Sequence, residues 1–189
     1  VLPGVHEGGF ERRRRIMTTH EIRVRCFSLL DLDDLNRIVE IERASFPIDA
    51  FSKATLRRLY HKCPDLFIIA EIPGIIVGYM ITCIFPEKGD IVSIAIDPAY
   101  RRKGVGRTLV DFAFYNLKIF GVKVVELEVR TTNIEGIRFW ESLGFFPIGT
   151  IPHFYRDGAE ALRMRKSLGD STIAICRRRN QQDGISIGQ

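Results

Sequence analysis

The sequence is poor in features that mark several protein classes. Its 189 residues include 4 cysteines, 4 histidines and 1 tryptophan. Cys26, Cys63, Cys83 and Cys176 lie far apart, and none forms a C-x-x-C pair. The spacing of a disulfide framework or a zinc ribbon is therefore missing, and free thiols in a cytosolic setting are expected. His6, His20, His61 and His153 show no metal-ligand spacing. No apolar run approaches the roughly 20 residues of a membrane span. The longest, "GIIVGYMITCIF" at 74–85, is β-branched and bounded by glycine, as a buried strand is. Two phosphate-loop signatures are also missing. G-x-x-x-x-G-K-[ST] does not occur, and G-x-G-x-x-G fails because Leu109 stands where its third glycine belongs. Readings as an ordinary nucleoside-triphosphate or nicotinamide-dinucleotide protein lose support accordingly.

What is present suits one domain with a full core: 46% of the residues are hydrophobic. The net charge of +5 permits nucleic-acid contact but does not require it. The positive excess is concentrated in Arg12–Arg15, in Arg101–Lys103 with Arg107, and in Arg177–Arg179. The stretch "VLPGVHEGGFERRRRIM" has neither an apolar segment between its charges nor a cleavage site, so no secretory leader is read there. Residues 1–20 read as an N-terminal extension expected to be flexible, and residues 21–168 as the folded domain. Residues 169–189 read as a tail, within which "STIAIC" is a candidate edge strand.

Within the domain, hydrophobic periodicity alternates between 2 and 3.6. "IRVRCF" reads as a half-buried strand. Leu32, Leu35, Ile38, Val39 and Ile41 share a helix face that Asp31 can cap. Ser52 opens a second helix that ends near Pro64. Three strands follow, the first two joined by a short turn at Pro73 and Gly74 and hence antiparallel. A helix from Val105 ends at Gly121, then comes the strand "KVVELEVR". A short helix has Asn133 as candidate N-cap and Gly144 as its stop. "FFPIGTI" and "AEALRMRKS" form a closing strand pair around "PHFYRDG". The order β-α-α-β-β-β-α-β-α-β-β implies an α+β domain on a mixed, mostly antiparallel sheet flanked by helices.

The segment "AYRRKGVGRTL" at 99–109 carries the most specific chemistry. A helix N-terminus offers unpaired N–H groups and partial positive charge, and glycine lets an anion come close to the backbone. Gly104 and Gly106 stand where such a helix begins, with Arg101, Arg102, Lys103 and Arg107 around them. The spacing suits two adjacent phosphates, and it equally suits a solvated loop with scattered cations.

"IVSIAIDPAYRRKGVGRTLV" resembles motif A of the GCN5-related N-acetyltransferase (GNAT) family, [RQ]-x-x-G-x-[GA], in which Arg101, Gly104 and Gly106 match. "ELEVRTTNIEGIRFWESLGF" at 126–145 resembles the second half of the same domain. "ASFP" at 44–47 and "HFYRDGAEALRM" at 153–164 resemble the substrate-side loops of its ribosomal-protein alanine and archaeal N-terminal members. The resemblance covers roughly residues 22–168.

The resemblance implies that acetyl-CoA lies in a V-shaped opening between the fourth and fifth strands. The backbone of Ile94, Ala95 and Ile96 would pair with the pantetheine arm. The amides of Arg102, Lys103, Gly104, Val105, Gly106 and Arg107 would hold the pyrophosphate, with Arg101 at the motif's first position. Asn133 would bond near the cysteamine end. An amide near Ile96 would face the developing oxyanion. Glu128 lies twelve residues before Trp140, the family's spacing between base and aromatic acid, and is the candidate general base. Trp140 departs from the tyrosine usual there, because an indole donates a hydrogen bond but is no practical acid. It remains a candidate cofactor contact or a core aromatic. Tyr155 is the second candidate acid and a candidate substrate ligand. Phe46 and Pro47 would wall the acceptor pocket, and Asp49 would line it or cap the next helix. The implied acceptors are protein N-termini, ribosomal proteins among them, with no membrane, metal or nucleic-acid requirement and a cytoplasmic setting. Lysine side chains, polyamines or other small amines form the alternative acceptor class. A non-catalytic CoA-binding or basic nucleic-acid adaptor forms the third reading.

Overall fold

A computed structural model describes residues 22–169. The expected N-terminal extension, the tail beyond Gly169 with its candidate strand, and Cys176 lie outside the described residues. The elements run β1 (Arg23–Cys26), α1 (Leu32–Ser45), α2 (Lys53–Lys62), β2 (Leu66–Ile72), β3 (Ile75–Phe85) and β4 (Lys88–Ile96). They continue with α3 (Val105–Ile119), β5 (Val124–Arg130), α4 (Ile134–Ser142), β6 (Phe146–Ile151) and β7 (Ala161–Ser167). This is the order that the periodicity implies.

Local chemistry explains most boundaries. The Asp31 carboxylate accepts from the Asp33 and Asp34 amides, both at 3.1 Å, and Ser52 Oγ accepts from the Thr55 amide at 3.1 Å. The longest apolar run is β3, buried on both faces along most of its length. Among the described residues, no helix is long and apolar enough to cross a membrane.

The seven strands form one sheet in the order β1-β2-β3-β4-β5-β7-β6. Every neighbouring pair is antiparallel except β4 and β5, which run parallel with α3 as their crossover. Leu109, Val110, Ala113 and Leu117 of α3 pack with Trp140 of α4 and with Val125, Leu127 and Val129 on one face. Leu35, Ile38 and Ile41 of α1 and Leu56 of α2 cover β2, β3 and Ala95 of β4 on the other. On that second face β5 turns Glu126, Glu128 and Arg130 outward, as its alternation requires.

The expectation of free thiols needs correction. Cys63, at the C-terminal end of α2, is bonded to Cys83 of β3 across a sequence separation of 20, with their Cα atoms 4.7 Å apart. Both are buried. Their spacing along the chain gives no sign of this, because the pairing depends on α2 packing over β3. Cys26 is free and exposed. Closing a loop of this length stabilises a fold by about 3 kcal/mol through the unfolded chain. Cys63→Ser with Cys83→Ser is expected to lower unfolding stability by about that amount. Wild-type protein in reductant should lose the same increment. Equal denaturant midpoints with and without reductant contradict the bridge.

Candidate active site

The site begins where β4 and β5 stop pairing. Their parallel ladder extends only from Lys88–Val124 to Ile91–Leu127. At that point β4 carries a bulge: Thr82 faces Ile91 while Ile81 faces Ser93, so Val92 is the extra residue. A bulge bends its strand and sharpens its twist. Beyond it, β4 keeps β3 as neighbour, with Met80 opposite Ile94 and Gly78 opposite Ile96, but β5 moves away to pair with β7. Ile94, Ala95 and Ile96 therefore line an open edge inside the sheet. Their side chains are engaged elsewhere, with Ile94 and Ile96 against one core and Ala95 in the other. The main chain is left to face the opening.

The loop after β4 ends at the start of α3. Gly104 caps that helix with φ +85°, a left-handed conformation that glycine adopts at little cost, and the Arg102 backbone is also left-handed, with φ +59°. Gly106 lies beside α4, where a Cβ would sit 3.4 Å from Phe139 Cζ. A methyl group there would make ordinary van der Waals contact with the ring. Among the described residues, the amides of residues 102–107 donate to no protein acceptor; the first bond into the helix is Thr108 N–H to Gly104 O at 3.0 Å. Six N–H groups without a protein acceptor at the positive end of a helix suit a diphosphate.

The cationic side chains around this seat have their own partners. Arg101 folds back, donating from Nε to Ile96 O at 3.2 Å and from Nη2 to Ser45 Oγ at 3.2 Å. Lys103 Nζ donates to Ala99 O at 2.9 Å and lies over the Tyr100 ring. Arg107 pairs with Asp111. Among the described residues only the exposed Arg102 of these four lacks a side-chain partner. The seat is thus chiefly main chain, with Arg101 bracing its approach.

Across the opening, Asn133 caps α4 through Oδ1, which accepts from the Gly136 amide at 2.9 Å. Its Nδ2 has no partner among the described residues. Trp140 is 5% exposed, with Phe139 at 5.0 Å and Phe145 at 5.2 Å between ring centroids. The indole is a core aromatic on the α3 side of the sheet.

The other face of β5 carries a row of charges. Glu126 is bound by Lys88 at 2.8 Å and by Arg165 at 2.5 Å. Hydrogen bonding to Lys88, then to Arg165 against the cost of burial, holds its carboxyl below the ordinary value of 4.5. Arg163 Nε donates to Glu128 Oε1 at 2.9 Å, and Oε2 has no partner among the described residues. Arg130 holds Asp157 through Nη1 at 2.8 Å and Asp49 through Nη2, while its guanidinium lies 4.1 Å from the Tyr155 ring centroid. Burial, opposed by Arg130 and reinforced by Asp49 and Glu128, pushes the Tyr155 phenol up to about 12. Tyr155 therefore keeps its proton at neutral pH.

The structure brings together Glu128, Tyr155 and the loop of Phe46 and Pro47, and it adds Arg130, to which the sequence alone assigned no role. Arg130 joins two loops 81 and 27 residues away in sequence. Asp49 was expected to line the pocket or cap α2. Ser52 is the cap, and the Asp49 carboxylate goes to Arg130, leaving Oδ1 buried and without a partner among the described residues.

The acetyltransferase (GNAT) family model matches residues 35–145, which is more than half of the chain. The chain belongs to this family. An N-alpha-acetyltransferase of Sulfurisphaera tokodaii is 30% identical over 78% of this chain and 94% of its own length. Ard1 of Thermoplasma volcanium aligns with a TM-score of 0.72 at 27% identity, over 78% of this chain and 97% of its own. The ribosomal-protein-S18-alanine N-acetyltransferase of Escherichia coli aligns with a TM-score of 0.69 at 26% identity, covering 78% and 94%. The α+β fold read from the sequence is that of this family.

Because the Glu126 carboxyl is held below 4.5, it contributes stability above the unfolded pKa, and that contribution is lost as pH falls through the lowered folded value. Glu126→Gln is expected to be about 1–2 kcal/mol less stable than wild type at pH 7. The gap should close as the pH drops below 4.5. A gap that stays constant across an acid titration of denaturant midpoints rejects this account.

Proposed function

We propose that the protein transfers acetyl from acetyl-CoA to the α-amino group of protein N-termini. The observation that carries this reading is the Arg130 cluster, in which one guanidinium ties the loop after α1 to the loop before β7 at the mouth of the β4–β5 opening, beside Glu128. Two loops held together over a charged sheet face offer two walls against which an extended peptide end can lie. The relatives named above, an N-alpha-acetyltransferase and an alanine N-acetyltransferase, support the same acceptor class.

Acetyl-CoA supplies an activated acetyl thioester. The amides of residues 102–107 hold its diphosphate, the main chain of Ile94–Ile96 aligns the arm, and Asn133 Nδ2 donates near its end. Trp140 supports this wall from within the core. An α-amino group has a pKa of about 7.7–8.0 against about 10.4 for lysine, so a peptide N-terminus needs only modest help to be neutral. Glu128 Oε2 takes the amine proton, directly or through water, while Arg163 fixes the carboxylate's orientation. The amine nitrogen bonds to the acetyl carbonyl carbon as the C–S bond breaks; Tyr155, protonated at neutral pH, gives the departing thiolate a hydrogen bond, and the thiolate takes its proton from solvent. Positioning and main-chain donors at the oxyanion supply most of the barrier reduction. Protein and peptide N-termini, ribosomal proteins among them, are the proposed acceptors.

A peptide-library acetylation assay with Met, Ser and Ala at the first position tests the reading. Wild-type protein should acetylate peptide N-termini in preference to lysine side chains and polyamines. Glu128→Gln should lower kcat about 100-fold with acetyl-CoA affinity within about twofold. Turnover confined to polyamines or lysine side chains removes the N-terminal acceptor, and unchanged kcat removes Glu128 from the chemistry. Arg130→Lys loses the forked geometry that spans Asp49 and Asp157, so peptide KM should rise about tenfold while kcat changes little.

A further inference from the structure

Glu42 is a carboxylate in the core, 1% exposed, on the α1 face of the sheet. Burying a carboxylate costs several kcal/mol unless its oxygens are bonded. Its oxygens are bonded, and the partners are unlike each other. Oε1 accepts the Phe51 amide at 2.9 Å, and Oε2 accepts the Tyr79 hydroxyl. Tyr79 Oη also meets Ser93 Oγ at 2.9 Å, on the segment of β4 just past the bulge. The main chain of Glu42 takes a third bond, its carbonyl accepting the Phe46 amide at 2.8 Å. That last bond is the ordinary closing bond of α1, which any residue at 42 would make, so the carboxylate's own contribution is to hold the far end of the loop 46–51 at Phe51. Within that loop stand Pro47 and Asp49, whose carboxylate reaches Arg130.

We propose that Glu42 is a positioning residue for acetyl transfer: its carboxylate pins the far end of the acceptor-side loop 46–51 at Phe51 and, through Tyr79 and Ser93, registers that loop against the strand that lines the opening. The proposal rests on reading this opening as the acetyl-transfer site and this loop as its acceptor wall. Burial pushes the Glu42 carboxyl above its ordinary range, opposed by the Phe51 and Tyr79 bonds it accepts. Among the described residues no cation pairs with it. An apolar residue of similar volume gives comparable packing without the desolvation cost. Retaining an acid here is therefore an expensive way to fill a core, whereas it is a direct way to anchor an amide and a hydroxyl on two separate elements.

The test compares Glu42→Gln, Glu42→Met and Tyr79→Phe in the full chain, with circular dichroism as the folding control. Peptide KM, kcat and acetyl-CoA Kd are measured together with hydrogen exchange at the Phe51 amide. Glu42→Met keeps the volume and removes both acceptors, so peptide KM and the Phe51 exchange rate should each rise about tenfold, with kcat and acetyl-CoA Kd within about threefold. Glu42→Gln retains an oxygen for Phe51 and an amide for Tyr79, so KM should return to within about threefold of wild type. Tyr79→Phe cuts the link to the sheet alone, and peptide KM should rise about threefold or more; it also serves as the deciding variant if Glu42→Met does not fold. Folded variants whose peptide KM and Phe51 exchange both match wild type overturn the proposal. So does a loss spread equally over KM, kcat and acetyl-CoA Kd, which is the mark of a merely structural group. A wild-type protein that acetylates no peptide sinks the functional reading instead, and Phe51 exchange in the same variants still decides the pin.

Discussion

Two parallel strands that pair for four residues and then separate leave a length of main chain inside a sheet without a neighbouring strand. Unpaired backbone is expensive when buried, so such a split persists only when water or a ligand fills it and when something keeps the strands from closing. Here Val92 does that, as an extra residue that bends β4 away at the end of its ladder with β5. On the other side, β5 is held by a full ladder to β7, which runs from Val124–Ser167 to Arg130–Ala161. The opening is therefore bordered by two strands that are each satisfied on their far edge. The helix α3 that connects them starts at its mouth and brings six free amides there.

The two faces of the sheet divide the work. On the α3 side, aliphatic side chains of β4 and β5 pack beneath the glycine loop, and Gly106 of α3 lies beside Phe139 of α4. On the α1 side, β5 and β7 present acids and bases paired rung by rung, Glu126 with Arg165 and Glu128 with Arg163, ending at Arg130. Strand alternation produces this division without further instruction, since neighbouring residues on a strand must face opposite ways. An anionic donor and an amine acceptor can then approach the same split from surfaces of different chemistry. Family membership agrees with this arrangement, because the loop glycines and β5 both lie inside the matched residues.

Much of this was legible in the chain. The element order, the caps at Asp31, Ser52 and Asn133, and the glycine stops at Gly121 and Gly144 follow from rules that act over four or five residues. The glycine-rich loop was legible for the same reason, as its chemistry lies within seven consecutive positions. The side-chain partners of its cations were not. Arg101 looks like a phosphate ligand in sequence, yet its guanidinium reaches Ser45, 56 residues away. The Cys63–Cys83 bridge was missed because a disulfide depends on the spatial approach of two elements and leaves no local signature. The bulge at Val92 was missed because "IVSIAI" alternates no less plausibly as an unbroken strand.

Sequence alone determined the elements, their order and the character of each face, since dihedral preference and periodicity are properties of short stretches. The tertiary structure decided which charges meet. Asp49, Arg130 and Asp157 belong to three segments that the sheet order brings to one point, and Glu42, Phe51, Tyr79 and Ser93 belong to an equally scattered set. Electrostatic and hydrogen-bond energies depend on distances of a few ångströms between residues that chain position keeps tens of residues apart. Those distances exist only once both cores have packed.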